Sequence, residues 1–176
     1  MIEQTVWTGR TGQESPAGSA PAAADTGFRR AMELMFFAYR DFTGEADAIL
    51  ADYGLGRAHH RAIYFIGANV GISVNELLEI LKITKQSLNR VLGALIEDGY
   101  VVQETDEDDR RRRLMQLTDK GRALEQMLTQ RQSARIAAAT EGMPADVVDA
   151  FQNVLERLIN EDDRHRVRPA WAADTL

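Results

Sequence analysis

Two clusters in the middle of the chain carry side chains able to read another polar molecule. The first is Lys85, Gln86, Ser87, Asn89 and Arg90, set among Leu88, Val91, Leu92, Leu95 and Ile96. At helical spacing these two sets fall on opposite faces. Gln and Asn can bond the edge of adenine bidentately and Arg can bond O6 and N7 of guanine, each good pair discriminating by about 1–3 kcal/mol. The second cluster is the run Glu104 to Arg113, where acidic residues give way abruptly to four arginines, Arg110 to Arg113. An arginine projected from a hairpin tip suits the narrow, strongly negative minor groove of DNA. Asp109, two residues before Arg111, is spaced to pair with its guanidinium and hold it in that pose. Polar residues opposite a leucine stripe usually form a solvated face, and a charge-mixed turn contributes little by itself. The order of the two clusters along one chain points to DNA.

The elements that must position them are legible on either side. Ser73 stands three residues before Glu76, a capping-box spacing, and Leu77, Leu78, Ile80 and Leu81 supply a buried face for a short third helix. After the turn Lys82-Ile83, Thr84 is the N-cap of a fourth helix, Lys85 to Asp98, and Gly99 terminates it. Tyr100 to Gln103 and Leu114 to Leu117 read as two strands joined by the charged loop. Two short helices, a tight turn and a hairpin make a winged helix-turn-helix, whose second helix enters the major groove.

Around this unit, Phe28 to Tyr53 and Arg57 to Asn69 read as two helices, with Met32, Met35, Phe36, Tyr39 and Phe42 repeating along the first. Thr118 opens a fifth helix running toward Ala139. Gly142-Met143-Pro144 precedes a last one in which Val147, Val148, Phe151, Val154, Leu155, Leu158 and Ile159 form a stripe wider than one small domain needs. Residues 1–25, rich in Gly, Pro, Ser, Ala and Thr, read as a flexible arm, and 164–176 as a loosely ordered tail. The fold class expected is mainly α with a small β-hairpin wing.

Composition narrows the function classes. The 176 residues include no cysteine, which excludes a thiolate metal site, a catalytic cysteine and a thiol redox switch. Lys and Arg number 21 against 27 Asp and Glu, a net charge of -6, so binding by bulk positive charge is excluded and local placement decides. There is no apolar run of membrane-spanning length and no secretory pattern, so a cytoplasmic protein without membrane contact is expected. No phosphate-binding loop, nucleophile elbow or His-Glu-x-x-His motif occurs, so no enzyme is expected. His59 and His60 are neighbours pointing about 100° apart on a helix, which suits structure better than a shared ion, and no metal or cofactor is expected.

The stretch Ser73 to Gly121, SVNELLEILKITKQSLNRVLGALIEDGYVVQETDEDDRRRRLMQLTDKG, resembles the winged helix of the MarR transcriptional regulators, with the Asp-x-Arg wing motif at Asp109-Arg110-Arg111 and the Leu-Thr-x-x-Gly that opens the next helix. The resemblance covers roughly residues 28–162. Arg57-Ala58-His59-His60-Arg61 with ITKQSLNRVL is further similar to the PetP-like proteobacterial branch of that family.

The resemblance implies a homodimeric repressor on a pseudo-palindromic double-stranded operator. Residues 26–56 and 119–163 would be dimerisation helices and 57–118 the DNA-binding lobe, with half-sites roughly 34–36 Å apart. It implies base readout by Gln86, Ser87, Asn89 and Arg90, minor-groove contact by Arg111 with Arg113 beside it, and backbone contacts by Ser73, Thr84, Lys85 and Arg110. Where the family has Asp-Pro this wing reads Asp106-Glu107, implying a more mobile wing. It also implies release by a small aromatic or anionic effector in a crevice lined by Phe36, Tyr39, Arg40, His60, Arg61 and Tyr64. The rival reading is a winged helix for protein contacts, or an antagonist of another regulator, which would leave Asn89, Arg90 and Arg111 without a duty.

Overall fold

The computed structural model describes residues 23–167; the expected arm up to residue 22 and the tail from 168 lie outside them. Seven helices and three strands follow in the order α1 (Ala23–Asp52), α2 (Arg57–Ala68), β1 (Ile72–Ser73), α3 (Val74–Leu81), α4 (Lys85–Glu97), β2 (Val101–Thr105), β3 (Arg113–Leu117), α5 (Asp119–Thr140), α6 (Ala145–Leu158) and α7 (Glu161–Arg164). The chain divides between Ala38 and Tyr39 into two units. The first unit contributes the start of α1, which begins at Ala23, inside the stretch read as arm. Phe28 is followed by Met32 four residues on, and Met32 by Met35 and Phe36 three and four residues on; all are exposed, with Phe36 and Phe37 edge to face at 5.3 Å.

In the second unit three hydroxyl caps start the three helices that matter most. Ser73 Oγ accepts from Glu76 N–H at 3.3 Å, and Glu76 Oε2 accepts from Ser73 N–H at 2.8 Å, closing the expected capping box of α3. Thr84 accepts from Ser87 N–H at 3.2 Å to start α4, and Thr118 from Gly121 N–H at 3.0 Å to start α5. Each cap satisfies a backbone donor that has no partner within its helix. Gly99, at φ 73°, ends α4 as expected, and Lys120 Nζ donates to Asp98 O at 2.7 Å over the same helix end.

The core centres on α2, whose Ala62, Ile63 and Ile66 are buried with Leu50 of α1, Leu77 of α3, Leu88 and Leu95 of α4, Met115 of β3 and Leu128 of α5. Truncating a buried leucine of this kind costs about 2–5 kcal/mol, so the leucine face of α4 anchors the helix while its other face stays wet. The sheet order is β1-β3-β2, all antiparallel. β2 and β3 pair from Val101 with Leu117 to Thr105 with Arg113, so the strands run further into the charged loop than Gln103 and Leu114. β1 is an addition to the expected hairpin: Ile72 and Ser73 pair with Met115 and Leu114, stitching the start of α3 to the wing.

The Leu117-Thr118-x-x-Gly121 motif has a physical basis here. Thr118 caps α5, its hydroxyl also donates to Gly99 O at 2.7 Å, and a Cβ on Gly121 would stand 2.1 Å from Tyr100 O. α5 therefore crosses the start of β2 at backbone distance, which only glycine permits. By contrast α6 buries no residue within the chain, and its Val147, Phe151, Val154, Leu155 and Leu158 are exposed along one apolar stripe.

Candidate nucleic-acid interface

α4 presents Lys85, Gln86, Ser87, Asn89 and Arg90 to solvent while Leu88, Val91 and Leu92 are buried. The cap modifies one of these: Thr84 Oγ1 donates to Ser87 Oγ at 2.9 Å, so the Ser87 hydroxyl is already oriented. Ser73 is 5% exposed and its hydroxyl donates to Glu76 Oε2 at 2.5 Å, which makes it a cap first and an outward contact second. Those bonds from the Ser73 hydroxyl and amide, with Arg112 adding attraction, hold the Glu76 carboxyl below its ordinary pKa.

The wing is tied by its acidic residues. Asp106 Oδ1 accepts from the amides of Asp108, at 2.9 Å, and Asp109, at 3.3 Å, an Asx turn at Asp106-Glu107. Asp109 does meet Arg111, but its Oδ1 accepts the Arg111 backbone N–H at 2.9 Å and no ion pair joins the two among the described residues. The expected guanidinium pairing is thus replaced by a backbone bond, because the turn brings the amide nearer than the side-chain end. Arg112 is the arginine that turns inward, to Asp106 at 3.3 Å and Glu76 at 3.6 Å. Arg113 donates to Thr105 Oγ1 across the strand pair. Lys85, Arg90, Arg110 and Arg111 are exposed and make no ion pair among the described residues.

These pieces meet in a groove of about 250 Å³ between the starts of α3 and α4 and the wing. Of the expected residues it gathers Ser73, Lys85, Asn89, Arg111 and Arg113; Thr84, Gln86, Ser87, Arg90 and Arg110 lie outside it. Asn75, Gln103 and Arg112 also line it and were not anticipated. Asn75 sits one residue before Glu76 in the capping box, and Gln103 is a polar residue on an outward strand position, so each carried only a weak signal.

Of the six effector candidates, the structure joins Tyr39 and Arg61 directly. Arg61 Nη2 donates to Tyr39 Oη at 2.6 Å, and Arg57 lies over the Tyr39 ring at 5.8 Å from its centroid. Arg40 pairs with Asp41 at 2.8 Å, Tyr64 stands edge to face with Phe65, and Phe36 belongs to the first unit. His60, 8% exposed, faces the core. His59 caps α2, its Nδ1 accepting from Gly56 N–H at 3.0 Å.

Burial lowers the His60 pKa, opposed by the charges of Asp47 and Glu125 and aided by Arg61. The unfolded chain therefore takes up this proton first, at about pH 6.5. The His60 contribution to stability is complete above that pH and declines as pH falls through it. Thermal melts at pH 7.5, 6.5 and 5.5 should show a falling midpoint, and His60→Gln should flatten that fall; an unchanged profile in the variant would contradict the burial argument.

The sequence pattern of the MarR family matches residues 53–112. The transcriptional regulator PetP of Rhodobacter capsulatus is 45% identical over 136 residues, 77% of this chain and 82% of the relative. The chain belongs to the MarR family. The branch expected from Arg57 to Arg61 and the α4 sequence agrees with that likeness. Among solved MarR-type structures, a putative family regulator of Listeria monocytogenes complexed with a 26mer DNA superposes with a TM-score of 0.65 at 18% identity, over 77% of this chain and 89% of the other. FabT of Streptococcus pneumoniae, in complex with DNA, gives 0.66 at 19% identity over 74% and 94%. These establish the MarR winged-helix fold. No helix among the described residues is long and apolar enough to cross a membrane.

Proposed function

We propose that this MarR-family protein is a homodimeric regulator of transcription that binds double-stranded DNA sequence-specifically, as a repressor. One observation carries the reading: a single groove joins Lys85 and Asn89 of α4 to Arg111 of the wing, so a helix in the major groove and an arginine in the adjoining minor groove can engage one half-site. Asn89, Gln86, Ser87 and Arg90 read bases. Thr84, Lys85 and Arg110 meet phosphates, with Ser73 at the floor, and Arg111 enters the minor groove with Arg113 braced beside it. Residues 57–118 form the DNA-binding lobe.

The exposed apolar stripe of α6 and that of the first unit support dimerisation through residues 26–56 and 119–163, since faces of this size are covered in soluble proteins. A two-fold dimer then reads a pseudo-palindrome. A small aromatic or anionic effector acting through Tyr39 and Arg61 would release DNA by favouring another arrangement of the dimer. The protein works in the cytoplasm, where the DNA is, and uses no cofactor, metal or catalytic group. Selection from a pool of random duplexes tests this: a pseudo-palindromic consensus with half-sites one helical turn apart is expected. Failure to enrich any sequence would favour the protein-contact reading instead.

A further inference from the structure

Four charged side chains outside the groove tie the end of the described chain to the helix-turn-helix. Asp163 Oδ1 stands 3.5 Å from Lys82 Nζ. Arg166 Nη2 donates to Glu79 Oε2 at 2.9 Å, and its Nε lies 3.6 Å from the same Asp163 Oδ1. The series Lys82, Asp163, Arg166, Glu79 alternates in sign, so each inner member has an opposite charge on both sides. Asp163 and Arg166 are the half-buried members, with side-chain exposures of 27% and 25%. Arg166 Nε is buried without a hydrogen-bond partner. Such a group is held in place by the contacts of the rest of its side chain.

The anchor points on the other side are the last turn of α3 and the turn that follows. Lys82 is the C-cap of α3 in the left-handed conformation, φ 51°, and the only non-glycine residue with positive φ among the described residues. A lysine there is disfavoured relative to glycine. It opens the three-residue connection Lys82-Ile83-Thr84, which sets the angle between α3 and α4. Isolated exposed pairs contribute little, but coupled pairs that grip two points three residues apart fix a geometry as well as an energy.

We propose that Asp163 and Arg166 form a strap that positions the helix-turn-helix, so that the pose of the reading helix depends on the segment following α6. None of its four residues touches DNA. The proposal rests on the DNA-binding reading for its consequence and on the geometry alone for its existence, and the test separates the two.

The full-length chain, Arg166→Ala, Glu79→Ala, the double variant and the charge exchange Glu79→Arg with Arg166→Glu are compared in two measurements. In hydrogen exchange, the amides of residues 82–85 should exchange faster in Arg166→Ala and return toward the wild-type rate in the charge exchange. In binding to a duplex selected by the wild type, Arg166→Ala should lose about 2- to 5-fold with an unchanged slope of log affinity against log salt, and the double variant should be no weaker than Arg166→Ala. A slope reduced by about one would make Arg166 a phosphate contact and overturn the proposal, as would unchanged exchange at residues 82–85. Were the wild type to bind no DNA, the functional reading would fall, while faster exchange in Arg166→Ala would still uphold the strap.

Discussion

Arg90→Ala is expected to lower affinity for the selected duplex by about 5- to 150-fold, the loss of one bidentate base contact, and to change affinity for an unrelated duplex far less. Arg90 lies in the second turn of α4 and is exposed. It makes no ion pair among the described residues, so its donors are available. Leu88 and Val91 on either side are buried, so removing the side chain should leave the helix in place. Arg111→Ala supplies the contrast: as a minor-groove contact it should weaken both duplexes and reduce the salt slope by about one. Titrations of both variants with both duplexes, followed by fluorescence anisotropy, measure this. An Arg90→Ala loss of equal size on selected and unrelated DNA would remove base readout from α4.

The second large effect is on stability. Gly121→Ala places a methyl group 2.1 Å from a backbone carbonyl oxygen, that of Tyr100, with Leu117 Cδ2 at 3.3 Å on another side. Neither α5 nor β2 can yield cheaply, since Thr118 N–H also donates to Tyr100 O at 3.0 Å and closes the same junction. The cost should reach the upper end of the roughly 1–3 kcal/mol seen for overpacking, lowering the melting midpoint at about 2–4 °C per kcal/mol for a chain of this size. Gly93→Ala is the control. Gly93 is inside α4 with nothing within 4 Å of an added Cβ, so alanine there should stabilise by about 0.5–1 kcal/mol. Opposite signs in calorimetry are expected, and two similar shifts would contradict the close crossing.

These residues also show where sequence reading succeeds and where it stops. Caps, helix faces and the wing were legible because each depends on neighbours: Ser73 with Glu76, Thr84 with Ser87, the leucines of α4 at helical steps. β1 was not, since two residues have no period and Ile72 and Ser73 become a strand only through Leu114 and Met115. α7 and its contacts escaped for the same reason, Arg166 and Glu79 being 87 positions apart. The wing shows a finer limit. The spacing of Asp109 and Arg111 correctly joined the two residues but not the atoms, and it could not foresee that Arg112 rather than Arg111 would turn toward Glu76. His59 gives no cap signal in the sequence, because imidazole is uncommon at a position that Glu or Gln usually fills. The groove itself follows from long-range packing, which is why only half of the expected contact residues line it.

The acidic total charge also acquires a use. With -6 overall and the exposed Lys85, Arg90, Arg110 and Arg111 placed together on α4 and the wing, indiscriminate attraction to DNA should be low and affinity should depend on a few placed contacts. The most direct test of that claim is the affinity of the wild-type protein for the selected duplex and for a scrambled duplex of the same composition, between about 50 and 200 mM salt. The account predicts at least about 10³-fold preference for the selected sequence, with log affinity for both falling linearly as log salt rises. Equal affinity for the two duplexes at every salt concentration would contradict it.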